Sequence, residues 1–433
     1  MTEREVMEYM EDIGKLGIVP GLDSIRELLH RLGDPQKELR FVHIAGTNGK
    51  GSVSAYIASV LMCAGYRVGR YLSPVIFEYR EKIQINNRCI SKAAMCRYVQ
   101  QIREICGKMV EEGMHHPTPF EVETAMCFLY FRDKKCDVVV LETGMGGLED
   151  ATNIVENTQV AVITSVSLDH MKFLGNTLTG IARQKAGIIK KGCMVVSASQ
   201  KREVLSVIRE QAQAKDCPLR VMEPECITKA TYGIRKQRFS YKEFDKIEIT
   251  LAGKYQIENA ATALEAVLAL REWGYRLSEE QIRKGFLSTV WPGRFTVIGK
   301  APVFVVDGAH NEDAARRLAE SVEFYFTNKR IIYIMGVLKD KEYEKIISCT
   351  HALADEIITV TPPNAQRALS AYELAQAVRL VHPRVTAADS LEEAVEMSHL
   401  LASKEDVIVA FGSLSFMGRL IEIMRDKTGK AVK

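Results

Sequence analysis

Leu22, Ile25, Leu28, Leu29 and Leu32 recur at three- and four-residue intervals. That is the spacing of one helix face, and it predicts helices through the first 40 residues. Gly33-Asp34-Pro35 stops the last of them. Phe41-Val42-His43-Ile44-Ala45 then reads as a buried strand. A glycine-rich turn follows, then an apolar helix from Ser54 to about Ala64, ended by Gly65. Further short apolar runs, Cys136 to Leu141, Val160 to Thr164 and Met194 to Ser197, read as strands separated by helical stretches. Such alternation argues for βαβ units and a mostly parallel sheet. From about Val221 to Leu251 short polar and apolar segments alternate, as expected of a small antiparallel insertion. A second α/β alternation begins near residue 297. Its expected strands are Val303 to Asp307, Ile331 to Met335, Glu356 to Val360 and Asp406 to Phe411. Asp313 to Phe324 and Ser390 to Leu401 are the helices between them, and Trp291-Pro292-Gly293-Arg294 reads as a hinge.

Composition narrows the function classes. The chain has 433 residues, 26% charged and 47% hydrophobic, with a net charge of +3. These values suit a soluble globular protein of two or three domains and exclude a collagen, a coiled-coil rod and a disordered tail. Without a long basic block, nothing suggests a nucleic-acid partner. No apolar run reaches the ~18 residues of a membrane span. The polar, acidic start Met1-Thr2-Glu3-Arg4-Glu5 is unlike a signal peptide, so the expected location is the cytoplasm. None of the ten cysteines forms a C-x-x-C pair, and the expected state is reduced, buried thiols.

The strongest chemical signal is Ala45-Gly46-Thr47-Asn48-Gly49-Lys50-Gly51-Ser52, between an expected strand and helix. Small residues there let backbone N–H groups point at phosphate oxygens, and the helix N-terminus adds positive potential. Lys50 is placed to reach the β- and γ-phosphates, and Ser52 or Thr47 to help hold Mg²⁺. The match to G-x-x-x-x-G-K-[ST] is imperfect, because Ile44 stands at the first glycine and Gly51 follows the lysine. The expected architecture is therefore α/β. A phosphate-loop NTPase-like domain with a mostly parallel sheet covers residues 1–296. A smaller Rossmann-like α/β domain covers 297–433.

Gly46 to Ser52 resembles the loop of folylpolyglutamate synthases and bifunctional dihydrofolate synthases, within the Mur ligase superfamily. The resemblance extends over nearly the whole chain. It takes in Gly21-Leu22-Asp23-Ser24-Ile25, Ser73-Pro74, Arg80-Glu81-Lys82-Ile83, Leu141 to Gly147, Leu168-Asp169-His170 and Ile181 to Ile188. It implies ATP-dependent addition of L-glutamate to folates, and potentially to dihydropteroate, through an acyl phosphate. It assigns Ser73, Glu142 and His170 to a cation site, with Lys185 carrying a carbamate that helps position the metal. Lys50, Lys185, His170 and Glu142 are the implied catalytic set. The implied ATP contacts are Thr47, Asn48, Gly49, Lys50, Gly51, Ser52, Asn259, Arg294, Asp307 and His310. Phe120 and Asp150 match segments near the pterin, and Ser413, in Phe411-Gly412-Ser413-Leu414, is the candidate glutamate contact. The implied cofactors are Mg²⁺ and a carbamylated lysine, with a monovalent cation left open. The implied partners are small molecules, and the implied state is a monomer.

The residues alone leave alternatives beside each role. His170 also reads as a structural histidine, Lys185 as a solvated or salt-bridged lysine and Asn259 as a helix cap. Arg294 also reads as a hinge salt bridge, Asp307 as part of a polar turn, Phe120 as core and Asp150 as a cap. The sequence departs from the family pattern at Val75, Leu148-Glu149, Gln184 and Glu312. The first two bear on pteroate and pterin preference. Two rival functions remain. One is a Mur-type ligase acting on a peptidoglycan precursor or other polymer. The other is a regulatory or motor ATPase, against which Glu142-Thr143-Gly144 stands where such proteins usually place a strand-end Asp.

Overall fold

The computed structural model describes residues 1–17, 21–363 and 367–428. The helix Glu3–Gly14 and the helix Asp23–Arg31 open the chain. They bury Val6, Met10, Ile25, Leu28 and Leu29 at helical spacing. Eight strands follow: β1 (Phe41–Ala45), β2 (Val68–Tyr71), β3 (Ile83–Ile85), β4 (Arg88–Cys89), β5 (Val138–Glu142), β6 (Thr158–Ile163), β7 (Met194–Ser197) and β8 (Leu219–Val221). They form one sheet in the order β4-β3-β2-β5-β1-β6-β7-β8. β1 lies between β5 and β6, parallel to both. Every residue of β1, β5 and β6 is buried, as expected where helices cover both faces of a parallel sheet. Apolar side chains collect on the sheet's faces. One cluster surrounds Phe41, Phe128 and Phe131, and another Ile163, Ile188 and Val195.

The rest of the chain builds two further sheets. β9 (Ile227–Thr231), β10 (Gln237–Tyr241) and β11 (Phe244–Ile249) form the small sheet expected between 221 and 251, with β10 and β11 antiparallel. β12 (Thr296–Lys300), β13 (Val303–Asp307), β14 (Ile331–Met335), β15 (Glu356–Thr359), β16 (Val385–Ala387) and β17 (Val407–Phe411) form a six-stranded sheet. Its order is β12-β13-β17-β14-β15-β16, with only the edge strand β12 antiparallel.

The chain divides into two compact units. The first is residues 1–74, 79–227 and 258–289, and the second is 75–78, 228–257 and 290–433. This differs from a single division after 296, because residues 228–257 group with the second unit. The physical reason lies in side-chain pairing. Tyr232 packs edge-on against Phe324 at 5.4 Å, and Tyr325 Oη donates to Gln237 Oε1 at 3.1 Å. All ten cysteines are free thiols. Among the described residues, no helix is long and apolar enough to cross a membrane.

Candidate active site

The glycine-rich loop leaves β1 at Ala45 and enters the helix Lys50–Cys63. Gly46 and Gly49 adopt φ of 156° and 87°. Gly46 lies against Thr164, where a Cβ would collide with the Thr164 hydroxyl. The loop is strapped to the segment after β6. Thr47 N donates to Ser165 O at 2.7 Å. The Thr47 hydroxyl donates to Ser167 O at 3.0 Å and accepts from Ser167 N at 3.1 Å. That hydroxyl is engaged on both sides by the chain. Lys50 Nζ folds back to donate to Gly46 O and Thr47 O at 3.1 and 3.3 Å.

Lys185, on the helix Leu178–Ala186, brings a second amine to the same carbonyl. Its Nζ is buried and donates to Gly46 O at 2.8 Å. Burial, reinforced by the positive charge of Lys50, pushes this amine down to about 7, with Asp169 and Asp150 opposing. The burial of Lys185 excludes the solvated alternative, and the lowered value makes the neutral amine accessible near pH 7.

The expected metal ligands lie along the carboxyl edge of the sheet, where α/β proteins bind ligands. Glu142 ends β5 and is 4% exposed. Ser73 follows β2 and is half-buried. His170 takes φ of 50° ahead of the short helix Met171–Leu174, with Nε2 3.9 Å from Asp169 Oδ2. No group of three or more His, Cys, Asp or Glu that could hold a metal occurs among the described residues. Glu142 and Ser73 offer oxygen donors, the kind Mg²⁺ takes beside water and phosphate oxygens.

Phe120, the second residue of the helix Pro119–Asp133, lies over Gly144 and 5.8 Å from the Tyr71 ring. Asp150 is buried and serves as a cap. Its Oδ2 accepts from Met145 N at 2.8 Å, and its Oδ1 from Thr152 N and Thr152 Oγ1 at 3.1 and 2.5 Å. Burial pushes its carboxyl up. Asn259 closes on the phosphate loop, where a Cβ on Gly49 would stand 2.6 Å from Asn259 Oδ1.

Comparison with known proteins settles the family. Residues 44–267 match the Mur ligase middle domain, and residues 293–414 match the Mur ligase glutamate ligase domain. The dihydrofolate synthase/folylpolyglutamate synthase of Bacillus subtilis is 39% identical over 79% of this chain and 81% of its own. The folylpolyglutamate synthase of Lacticaseibacillus casei is 35% identical over 96% of both. The chain belongs to the folylpolyglutamate/dihydrofolate synthase family of Mur ligases. A crystal structure of Mycobacterium tuberculosis folylpolyglutamate synthase complexed with ADP and AMPPCP superposes with a TM-score of 0.90, at 29% identity and full coverage of both chains.

In this synthase the second unit carries the other expected residues. Asp307 ends β13 in register with Phe411 of β17, so the Asp307-Gly308-Ala309-His310 turn and the Gly412-Ser413 turn leave the same sheet edge side by side. Asp307 is buried and multiply bound. Oδ2 accepts from Tyr255 Oη and Phe295 N, both at 2.7 Å, and Oδ1 from Ala309 N at 2.8 Å. Arg294 lies against Gly308. His310 Nδ1 is 2.7 Å from Gly308 O, which fixes its proton on Nδ1. Ser413 Oγ accepts from Ser415 N at 3.3 Å, capping the turn Leu414–Phe416.

Sequence reasoning overlooked Arg70, Tyr255 and His43. Arg70, in β2, is 5% exposed, and its Nε donates to Ser54 Oγ at 3.3 Å. Burial pushes its guanidinium down to about 10, against the opposing pull of Glu142. A lone arginine in Val-Gly-Arg-Tyr gives no sequence signal of burial. Nor does Tyr255 announce that its hydroxyl serves Asp307.

Proposed function

We propose that this synthase is an ATP-dependent ligase that joins L-glutamate to the terminal glutamate of folates and to dihydropteroate. The observation that carries this reading is the convergence of two amines, Lys50 and Lys185, on the Gly46 carbonyl of a phosphate loop. The breadth of the likeness to folate synthases gives the substrate class. The B. subtilis relative carries both activities in its name, which is why both acceptors are proposed.

A substrate carboxylate attacks the γ-phosphorus of ATP, breaking its bond to ADP and giving an acyl phosphate. Lys50 neutralises charge spreading over the transferring group. The glutamate amine then attacks the acyl carbon, and the tetrahedral intermediate expels phosphate and loses a proton to leave the amide. Asn259, beside Gly49, is assigned to the adenine, and Arg294, Asp307 and His310 are assigned to the nucleotide and incoming amino acid. Phe120 offers a face to the pterin. Asp150 acts by holding the turn under Phe120, since both its oxygens are occupied by the chain. Ser413 is assigned to glutamate.

Mg²⁺, when bound with ATP, supplies further neutralisation of phosphate charge, and Ser52, Ser73, Glu142 and His170 are the residues that would hold it. A neutral buried Lys185 is the form that adds CO₂, and its carbamate is proposed on that ground.

Phosphate release from MgATP and L-glutamate, with dihydropteroate in one reaction and tetrahydrofolate in another, tests the reading. Mass spectrometry should find one glutamate added to each acceptor. Extension of tetrahydrofolate alone would narrow the activity to polyglutamylation. Extension of neither would overturn the folate reading.

A further inference from the structure

His43 stands in the middle of β1, fully buried, two residues before the strand ends. Its Nε2 lies 2.9 Å from Thr152 Oγ1, and Thr152 Oγ1 lies 2.5 Å from Asp150 Oδ1. Donor and acceptor accounting fixes the protons. Both Asp150 oxygens face backbone N–H groups, from Met145 on one side and Thr152 on the other, so both accept. The Thr152 hydroxyl must therefore give its single proton to Asp150. Its oxygen is then an acceptor toward His43, and the proton between them belongs to His43 Nε2. His43 Nδ1 carries none, and it is buried without a hydrogen-bond partner among the described residues.

The chain of bonds has a direction. Donation runs from the strand that delivers the phosphate loop through Thr152 to Asp150, which accepts from Met145 N on its other oxygen. The turn it fixes includes Gly144, where an added Cβ would stand 2.7 Å from Phe120 Cζ. We propose that His43, held as the Nε2–H tautomer, is a positioning residue that sets the Gly144–Asp150 turn for the pteroyl substrate. The proposal rests on the folate reading of Phe120 and this turn. An imidazole is well suited to the task. It supplies one donor of fixed direction from a rigid ring, and burial keeps it uncharged, so Thr152 is never offered a second charge to answer.

Two measurements test this on the intact chain. ¹⁵N NMR of the His43 ring should show a proton on Nε2 alone, unchanged between pH 8 and about pH 5.5; a proton on Nδ1, or an imidazolium in that range, would overturn the assignment. Steady-state kinetics should then compare wild type with His43→Leu, His43→Gln and Thr152→Val. The Leu and Val variants should raise KM for tetrahydrofolate about tenfold, the worth of one hydrogen bond to a charged network, and leave KM for MgATP within about twofold. Gln, whose amide can donate near the Nε2 position, should recover most of the loss. Thr152→Val keeps the side-chain volume and covers the case in which His43→Leu fails to fold. Equal rises in both KM values, or unchanged KM for tetrahydrofolate, would reduce His43 to a packing role. A wild type that extends neither acceptor would instead overturn the folate reading, with the NMR result still reporting the tautomer.

Discussion

Replacing Gly49 by alanine probes the phosphate loop where backbone and side-chain requirements meet. Gly49 caps the helix Lys50–Cys63 with φ of 87° and ψ of −13°. An L-residue held at positive φ costs about 1–2 kcal/mol. The new Cβ would also stand 2.6 Å from Asn259 Oδ1, so the Asn259 amide must move. Loss of its present contacts adds about 1 kcal/mol. The sum is about 2–3 kcal/mol, a large share of the 5–15 kcal/mol typical of a domain but not enough to unfold it. The apparent Tm should fall by about 4–10 °C. The two contributions separate in a double-mutant cycle. In an Asn259→Ala background the steric part vanishes, and Gly49→Ala should cost only about 1–2 kcal/mol, leaving a coupling near 1 kcal/mol. ADP affinity, measured by calorimetry for the four proteins, should drop at least tenfold in Gly49→Ala. A coupling below about 0.3 kcal/mol, or a Gly49→Ala protein with unchanged Tm and ADP affinity, would refute the reasoning.

Three further outcomes are expected. Lys50→Ala should abolish ATP-dependent ligation while leaving the circular dichroism spectrum unchanged; near-normal turnover would remove Lys50 from the chemistry. His43 is pushed down to about 3 by burial, with Lys190 adding to the effect, against about 6.5 in the unfolded chain. The unfolded state therefore binds the extra proton between those values, and stability that is full above pH 6.5 falls by about 1.4 kcal/mol per pH unit below it. Denaturant titrations at pH 7 and 5 should show wild type losing about 2 kcal/mol more than His43→Gln, and parallel losses would contradict a buried neutral ring. Tyr255→Phe removes the donor 2.7 Å from Asp307 Oδ2 and should cost about 1.5–3 kcal/mol in denaturant unfolding of the second unit; a loss under about 0.5 kcal/mol would mean the hydroxyl is not needed there.

The buried parallel strands were the most legible part of the chain. Phe41 to Ala45, Met194 to Ser197, Val303 to Asp307 and Ile331 to Met335 begin and end where the sequence pattern predicts them. Strands that mix polar residues were not legible. β2 reads Val-Gly-Arg-Tyr, and burial of its arginine is eased by contacts absent from that string, the Ser54 hydroxyl and the charge of Glu142 among them. The β3–β4 hairpin turns on Asn86 and Asn87, both at positive φ, an asparagine pair that signals such a turn once its flanking strands are recognised. Motif spacing singled out the loop, Glu142, Lys185 and Asp307 as candidates. It could not show that Thr47 is fastened to Ser167, or that Asp150 is saturated by the chain, because both depend on residues distant in sequence or on the exact path of a turn.

The strapping of the phosphate loop has an entropic consequence. Fixing one residue's backbone costs roughly 1–2 kcal/mol of chain freedom. For Gly46 to Gly49 that cost falls on folding, because Thr47 and Asn48 are bound to Ser165 and Ser167 by the protein itself. An arriving nucleotide meets a loop already ordered, so its binding energy can go into phosphate contacts and not into immobilising the backbone that makes them.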